Sequence, residues 1–261
     1  MARITASFVA VVAAAASLMT LGSDALAAEA HPHWSYTGST GPAKWGSLEK
    51  EFSACALGRA QSPIDIRDTT VKQADLPPIE FDYKPSPLNI IDNNHTVQID
   101  YAPGSFITAN GKRYQLVQFH FHRPSEERLN GNRYPMVAHL VHKDSDGKLA
   151  VVAVLLATGP QNPLIKTLWN NLPREKEKEV SVETVEINAA DLLPKDKRYY
   201  TFDGSLTTPP CSEGVTWFVL KHPTSISGDE VDRFSKLYPM NARPVQPLNG
   251  REIKTSPAVA P

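Results

Sequence analysis

Gln118-Phe119-His120-Phe121-His122 is the stretch from which the chain can be read. Residues two apart on a β-strand leave it on the same face. His120 and His122 therefore point together, and Phe119 and Phe121 point the other way, into a core. Two imidazoles converging from one strand are suited to gripping a divalent transition metal. The segment PMVAHLVH (135–142) follows the turn signal Asn130-Gly131-Asn132 and predicts a second strand. Antiparallel pairing brings its His139 within a few ångströms of the first two histidines. His139 and Val141 share a face there, whereas His142 points away and is expected to be structural or at the surface. Three neutral imidazoles with an open position describe a catalytic zinc site, because a structural one closes with four protein ligands. A histidine pair alone reads equally well as two polar, partly buried residues. The third histidine on the neighbouring strand makes the metal the better reading.

Outward from this pair the chain is rich in short strands. Alternation or apolar runs predict them near residues 76–83, 88–91, 96–101, 114–122, 135–142, 149–156, 182–187, 199–206 and 215–220. The run at 149–156 is apolar on both faces and should be central. Helices are expected at residues 162–171 and 227–237, the latter capped by Ser227 with Asp229 and Glu230 in its first turn, and one short turn at 48–55. With 22 prolines and no internal repeat, this pattern implies one mostly β (α+β) domain around a large sheet.

The N-terminal residues 1–27 carry Arg3, an alanine-, valine- and leucine-rich run and the small-x-small end Ala25-Leu26-Ala27. They read as a signal peptide cut after Ala27 or Ala28. Its removal leaves about 234 residues, enough for one domain with a sizeable core. The domain is expected over residues 28–254, followed by a disordered tail at 255–261. No second apolar run follows, so no membrane association is expected after cleavage. The formal net charge is −1; no basic stripe marks a nucleic-acid face, and the mixed cluster at 174–179 is a solvated surface. Cys55 and Cys211 are the two cysteines. An exported pair favours a disulfide over free thiols or metal ligands, and their separation lacks a metal-ligand pattern.

An ordered set of motifs runs through nearly the whole mature chain: QSPIDI (61–66), NNHTVQ (93–98), QFHFH (118–122), PSE (124–126), AHLVH (138–142) and SLTTPPCSEGVTW (205–217). In these the chain resembles the α-class carbonic anhydrases. The resemblance implies a mainly antiparallel, twisted central sheet with a few short surface helices. It implies Zn2+ on His120, His122 and His139, with water or hydroxide in the fourth position attacking carbon dioxide to give bicarbonate. Thr207 would orient that nucleophile and pass a hydrogen bond to Glu126, and Thr208 would face bicarbonate. Val141, Val151, Leu206 and Trp217 match the apolar wall where carbon dioxide sits. His95 matches the proton shuttle, and Tyr36, Asn93 and Gln98 line its water path; Gln118 is expected to support a ligand ring from behind. Cys55 and Cys211 match the disulfide of exported members, which fits a periplasmic or secreted protein. A homodimer is compatible with the sequence but not specified by it.

Three connected positions depart from the family pattern. Val137 stands where a glutamate usually supports the third ligand, Glu127 where a histidine follows the PSE glutamate, and Phe202 where a tyrosine joins the same network. Either Glu127 reaches across to take over the missing carboxylate's role, or it faces solvent and His139 finds a backbone carbonyl or water. Readings from other classes are weaker. A non-catalytic relative or a zinc store would not need the threonine, the glutamate and an open position together, and a zinc peptidase would show His-Glu-x-x-His, which is absent.

Overall fold

The computed structural model describes residues 34–255; the expected signal peptide and residues 256–261 lie outside them. A 13-stranded sheet forms the body. Eight of its strands are β1 (Ser86–Asp92), β2 (Val97–Asp100), β3 (Lys112–His122), β4 (Met136–Lys143), β5 (Leu149–Thr158), β6 (Val180–Ile187), β7 (Tyr199–Ser205) and β8 (Glu213–Leu220). They lie in the order β6-β1-β2-β3-β4-β5-β8-β7, continued by Lys254–Thr255 and Lys72–Gln73. Neighbours are antiparallel except β5 with β8 and with Thr224–Ile226, and the last short pair. β5 is buried along both faces, as expected of a central strand with a parallel partner.

Each face of the sheet carries its own core. Phe119, Phe121, Leu140, Val152 and Val154 face one side. There they meet helices α1 (Pro163–Asn170) and α2 (Gly228–Ser235). Asn162 caps α1 by accepting from the amides of Leu164 and Ile165, and Ser227 with Glu230 forms a capping box on α2. Trp169 of α1 and Phe234 of α2 put their rings 5.0 and 6.4 Å from that of Phe121. Phe121, the phenylalanine between the two histidines, thus anchors the histidine strand on the helices. Val137, Val151, Leu155, Phe202 and Trp217 form the core on the opposite face, the face the histidines share.

One irregularity makes this arrangement possible. Simple alternation along β3 would put Leu116 on the histidine face. The register between β3 and β4 shifts between Leu116 and Gln118, leaving Val117 as an extra residue, 38% exposed. A β-bulge of this kind flips the alternation. Leu116 and Phe119 then both enter the helix-side core, and His120 is aimed away from it.

Local departures from the sequence pattern have simple causes. Only Glu80–Asp82 of the expected strand at 76–83 pairs, because Pro77 and Pro78 have no N–H to give a ladder. The single turn expected at 48–55 is instead Trp45–Leu48, Lys50–Phe52 and Ala54–Leu57. Thr255, assigned to the tail by sequence, pairs with Tyr200 on β7 and is buried. No helix of the described residues is long and apolar enough to cross a membrane.

Candidate metal centre

Strand register builds the site. Across β3, β4 and β5 one row reads His120, His139, Ala153, and the next reads Gln118, Val141, Val151. Beyond Val151 the second row continues through Trp217 on β8 to Phe202 on β7. The histidines and the apolar wall are therefore adjacent rows of one sheet face, and Gln98 of β2 lies opposite His120 on the far side.

Each histidine is held by one ring nitrogen. His120 Nδ1 lies 2.8 Å from Gln118 Oε1 and His122 Nδ1 lies 2.8 Å from the Asn241 carbonyl oxygen. His139 Nε2 lies 3.0 and 3.2 Å from the two oxygens of Glu127. Glu127 is fully buried, so it does not face solvent. Val137 sits in register between His122 and Leu155 and is buried with the apolar residues. Phe202 stacks on Trp217 at 6.2 Å, and Trp217 stands edge-on to His139 at 5.0 Å.

One donor nitrogen from each of the three histidines lies within 4.8 Å of the others. Burial, then the charge of His139, holds His120 down to about 3, and burial puts His122 well below its ordinary range. Both rings are neutral at physiological pH, the form that ligates a metal. Burial also disfavours a charged His139, but the charge and hydrogen bond of Glu127, with the charge of Glu126, together outweigh it and raise the ring's pKa. His122 Nε2 and Glu126 Oε2 are buried without a hydrogen-bond partner and lie 3.6 Å apart. An orphaned acceptor in a dry site is costly, and a divalent cation among the three nitrogens removes that cost for His122 Nε2. The residues present fit zinc, which favours imidazole nitrogen.

Glu126 is fully buried. Burial pushes its carboxyl up to about 7, against the nearby His139, with Glu127 raising it and Thr207 and the Arg243 amide lowering it. The Arg243 N–H donates to Glu126 Oε1 at 2.7 Å. Thr207 lies in the loop after β7, closed by hydrogen bonds from the Leu206 amide to the Ser212 carbonyl (3.0 Å) and from the Cys211 amide to the Thr208 carbonyl (2.8 Å). Cys211 is joined to Cys55 by a disulfide, so the covalent link enters this loop. Thr208 and Leu206 are partly exposed beside it. Trp217 is fixed by its Nε1, which donates to the Ser205 carbonyl at 3.1 Å.

His95 is not one of the three convergent histidines. Its ring stacks on Trp34 at 3.5 Å and 7°, and its carbonyl accepts from Asn241 Nδ2 at 2.9 Å. Asn93 Nδ2 donates to Gln98 Oε1 at 3.2 Å, and Gln98 Nε2 to Asp100 Oδ1 at 2.7 Å. Tyr36 has a buried hydroxyl without a partner among the described residues. Burial, then Glu126, keeps that hydroxyl protonated. His142 is on the opposite face, with Nε2 2.8 Å from the Tyr83 hydroxyl.

Two contributors escape a reading of residue types. Asn241 and Arg243 lie in a coil without periodicity, and their partners His122 and Glu126 are more than a hundred positions away. Nothing beside them in the chain marks them.

Comparison with known proteins fits this geometry. The family model for eukaryotic-type carbonic anhydrase matches residues 40–257. A carbonic anhydrase of Klebsiella pneumoniae is 45% identical over 225 residues, covering 85% of this chain and 90% of that protein. One from a Nostoc strain is 41% identical over 226 residues, covering 85% of each. The solved structure of a hyperthermostable carbonic anhydrase from an active hydrothermal vent chimney superposes with a TM-score of 0.83 at 46% identity, covering 86% of this chain and all of that one. A model matched over most of the chain, and relatives matched over most of theirs, place it plainly: this chain belongs to the eukaryotic-type, or α, carbonic anhydrase family.

Proposed function

We propose that the chain binds one Zn2+ on His120, His122 and His139 and hydrates carbon dioxide reversibly to bicarbonate and a proton. The observation that carries this is the set of three convergent imidazole nitrogens beside a buried Glu126 that Thr207 faces. When bound, zinc supplies hydroxide at neutral pH by lowering the pKa of its water to about 7, the general value for carbonic anhydrases.

The remaining work falls to side chains. A Thr207 hydroxyl that donates to the Glu126 carboxylate has only its lone pairs left for the attacking oxygen. It accepts that oxygen's proton as a hydrogen bond and turns the oxygen's lone pair toward the substrate. Val141, Val151, Leu206 and Trp217 offer an apolar surface suited to a substrate without charge, and Thr208 offers a hydrogen bond to the bicarbonate that forms. Glu127 holds His139 in the tautomer that leaves Nδ1 free for the metal, and Gln118 does the converse for His120. The proton released leaves along waters between Tyr36, Asn93 and Gln98 to His95, whose imidazole can both take up and give away a proton.

Export to a periplasm or the medium completes the reading, supported by the N-terminal pattern and by a disulfide of a kind that persists in oxidising compartments. Stopped-flow carbon dioxide hydration on protein stripped by a chelator and then given one equivalent of zinc tests the reading. Activity should vanish and return; a rate equal to that of buffer with zinc bound at one per chain would refute it.

A further inference from the structure

We propose that Arg243 is a positioning residue for the reaction: its guanidinium, anchored on the disulfide-bonded segments, holds its own backbone N–H against Glu126. The proposal rests on the carbon dioxide reading above.

Arg243 is only 1% exposed and is among the largest fully buried side chains. A buried guanidinium is costly unless its donors are satisfied. Here they are spent on one region. Nη1 donates to Gln61 Oε1 at 2.9 Å and to the Ser62 carbonyl at 2.7 Å, and Nη2 to the Cys55 carbonyl at 3.0 Å. Gln61 in turn donates from Nε2 to the Cys211 carbonyl at 3.0 Å. The fork therefore grips both sides of the Cys55–Cys211 bond, one directly and one through Gln61. Trp45, packed with the two cysteines, lies 5.7 Å from the guanidinium carbon.

The main chain of the same residue serves the site. Its N–H reaches Glu126 Oε1 at 2.7 Å, while the other Glu126 oxygen lies 3.6 Å from His122 Nε2 and 3.8 Å from His139 Nδ1. Pinning one oxygen of a carboxylate fixes where the other points. Two residues earlier, Asn241 is tied to His122 and to the backbone of His95, so this end of the segment cannot drift alone.

The test compares wild type with Arg243→Lys, which keeps the charge but cannot span three separate acceptors. Two quantities are read: kcat/KM for carbon dioxide hydration, and the NMR position and hydrogen exchange of the residue 243 amide in zinc-free protein. The variant should retain one zinc per chain, lose about tenfold in kcat/KM, as expected for a charged hydrogen bond, and show a shifted, faster-exchanging amide. Reducing the disulfide of wild type should move the same amide in the same direction, and should add little to the loss in Arg243→Lys, because both act on one contact. An amide unchanged in the variant and in reduced wild type, whatever happens to the melting temperature, overturns the proposal. If Arg243→Lys does not fold, the amide of reduced wild type decides by the same criterion. A wild-type chain that shows the amide response but no hydration refutes the carbon dioxide reading and leaves the Arg243–Glu126 coupling standing.

Discussion

Replacing Glu127 by glutamine asks whether a carboxylate from the loop before β4 stands in for one absent from the strand itself. The substitution preserves shape and one acceptor oxygen but removes the charge. Both Glu127 oxygens lie within 3.2 Å of His139 Nε2, and both residues are buried, so no solvent softens the change. Glu127 is also the chief reason that the His139 pKa is raised despite burial. A ring made more basic at one nitrogen by a charged acceptor on the other is a stronger ligand. Loss of such an acceptor typically weakens metal binding 10- to 100-fold, or about 1.4–2.8 kcal/mol. The neutral amide still offers an oxygen, which places Glu127→Gln near the lower end. Glu127→Leu leaves Nε2 without an acceptor and should reach the upper end.

Zinc affinity is measured by competition with a chelator of known strength, alongside the rate of zinc release. Both variants should hold zinc more weakly in the order given, and release it faster, with the fold intact by circular dichroism. Equal affinity in wild type and Glu127→Gln would show that the carboxylate is not what sets His139, and the reasoning from proximity and burial would fail.

Two further outcomes follow from the packing. At Gly204 an added Cβ would lie 2.2 Å from Ser62 Oγ and 2.7 Å from Trp217 Cδ1; Gly204→Ala should cost about 1–3 kcal/mol in urea unfolding and lower kcat/KM by tilting the wall, and a neutral result on both would show that this contact yields freely. Burial holds His142 down to about 3, below the ordinary value near 6.5, so the unfolded chain takes up a proton that the folded one refuses. Its contribution to stability is therefore complete above about pH 6.5 and falls as pH drops toward 3, by up to about 1.36 kcal/mol per unit. Urea unfolding from pH 7 to 5 should be less steep in pH for His142→Gln than for wild type, and identical slopes would exclude the residue as the cause.

The parts of this molecule that a sequence exposes are those governed by local periodicity. Alternation along QFHFH put the two histidines on one face, and the apolar run of β5 announced a strand buried on both sides. Ser227 with Glu230 signalled a capped helix without any tertiary information. The bulge at Val117 was not visible, because Leu116 and Val117 are both apolar and only the register with β4 reveals which one is extra. The hydrogen bonds behind the ligands divide the same way. Gln118 and His120 are two apart on a strand, so their contact follows from geometry within the chain. Glu127 could be suspected from its residue type, since a carboxylate was missing at Val137 and one had arrived nearby. The Asn241 carbonyl and the Arg243 amide could not. Every residue but proline carries a carbonyl and an N–H, so no letter in the sequence says that these two are used. What does leave a trace is the cost of putting them there. A buried arginine has to spend its donors somewhere, and in this fold the guanidinium spends them on the disulfide segments while its amide serves Glu126. In a site supported by backbone atoms, the informative side chains are therefore those that hold the backbone, and they lie far from the metal ligands in the sequence.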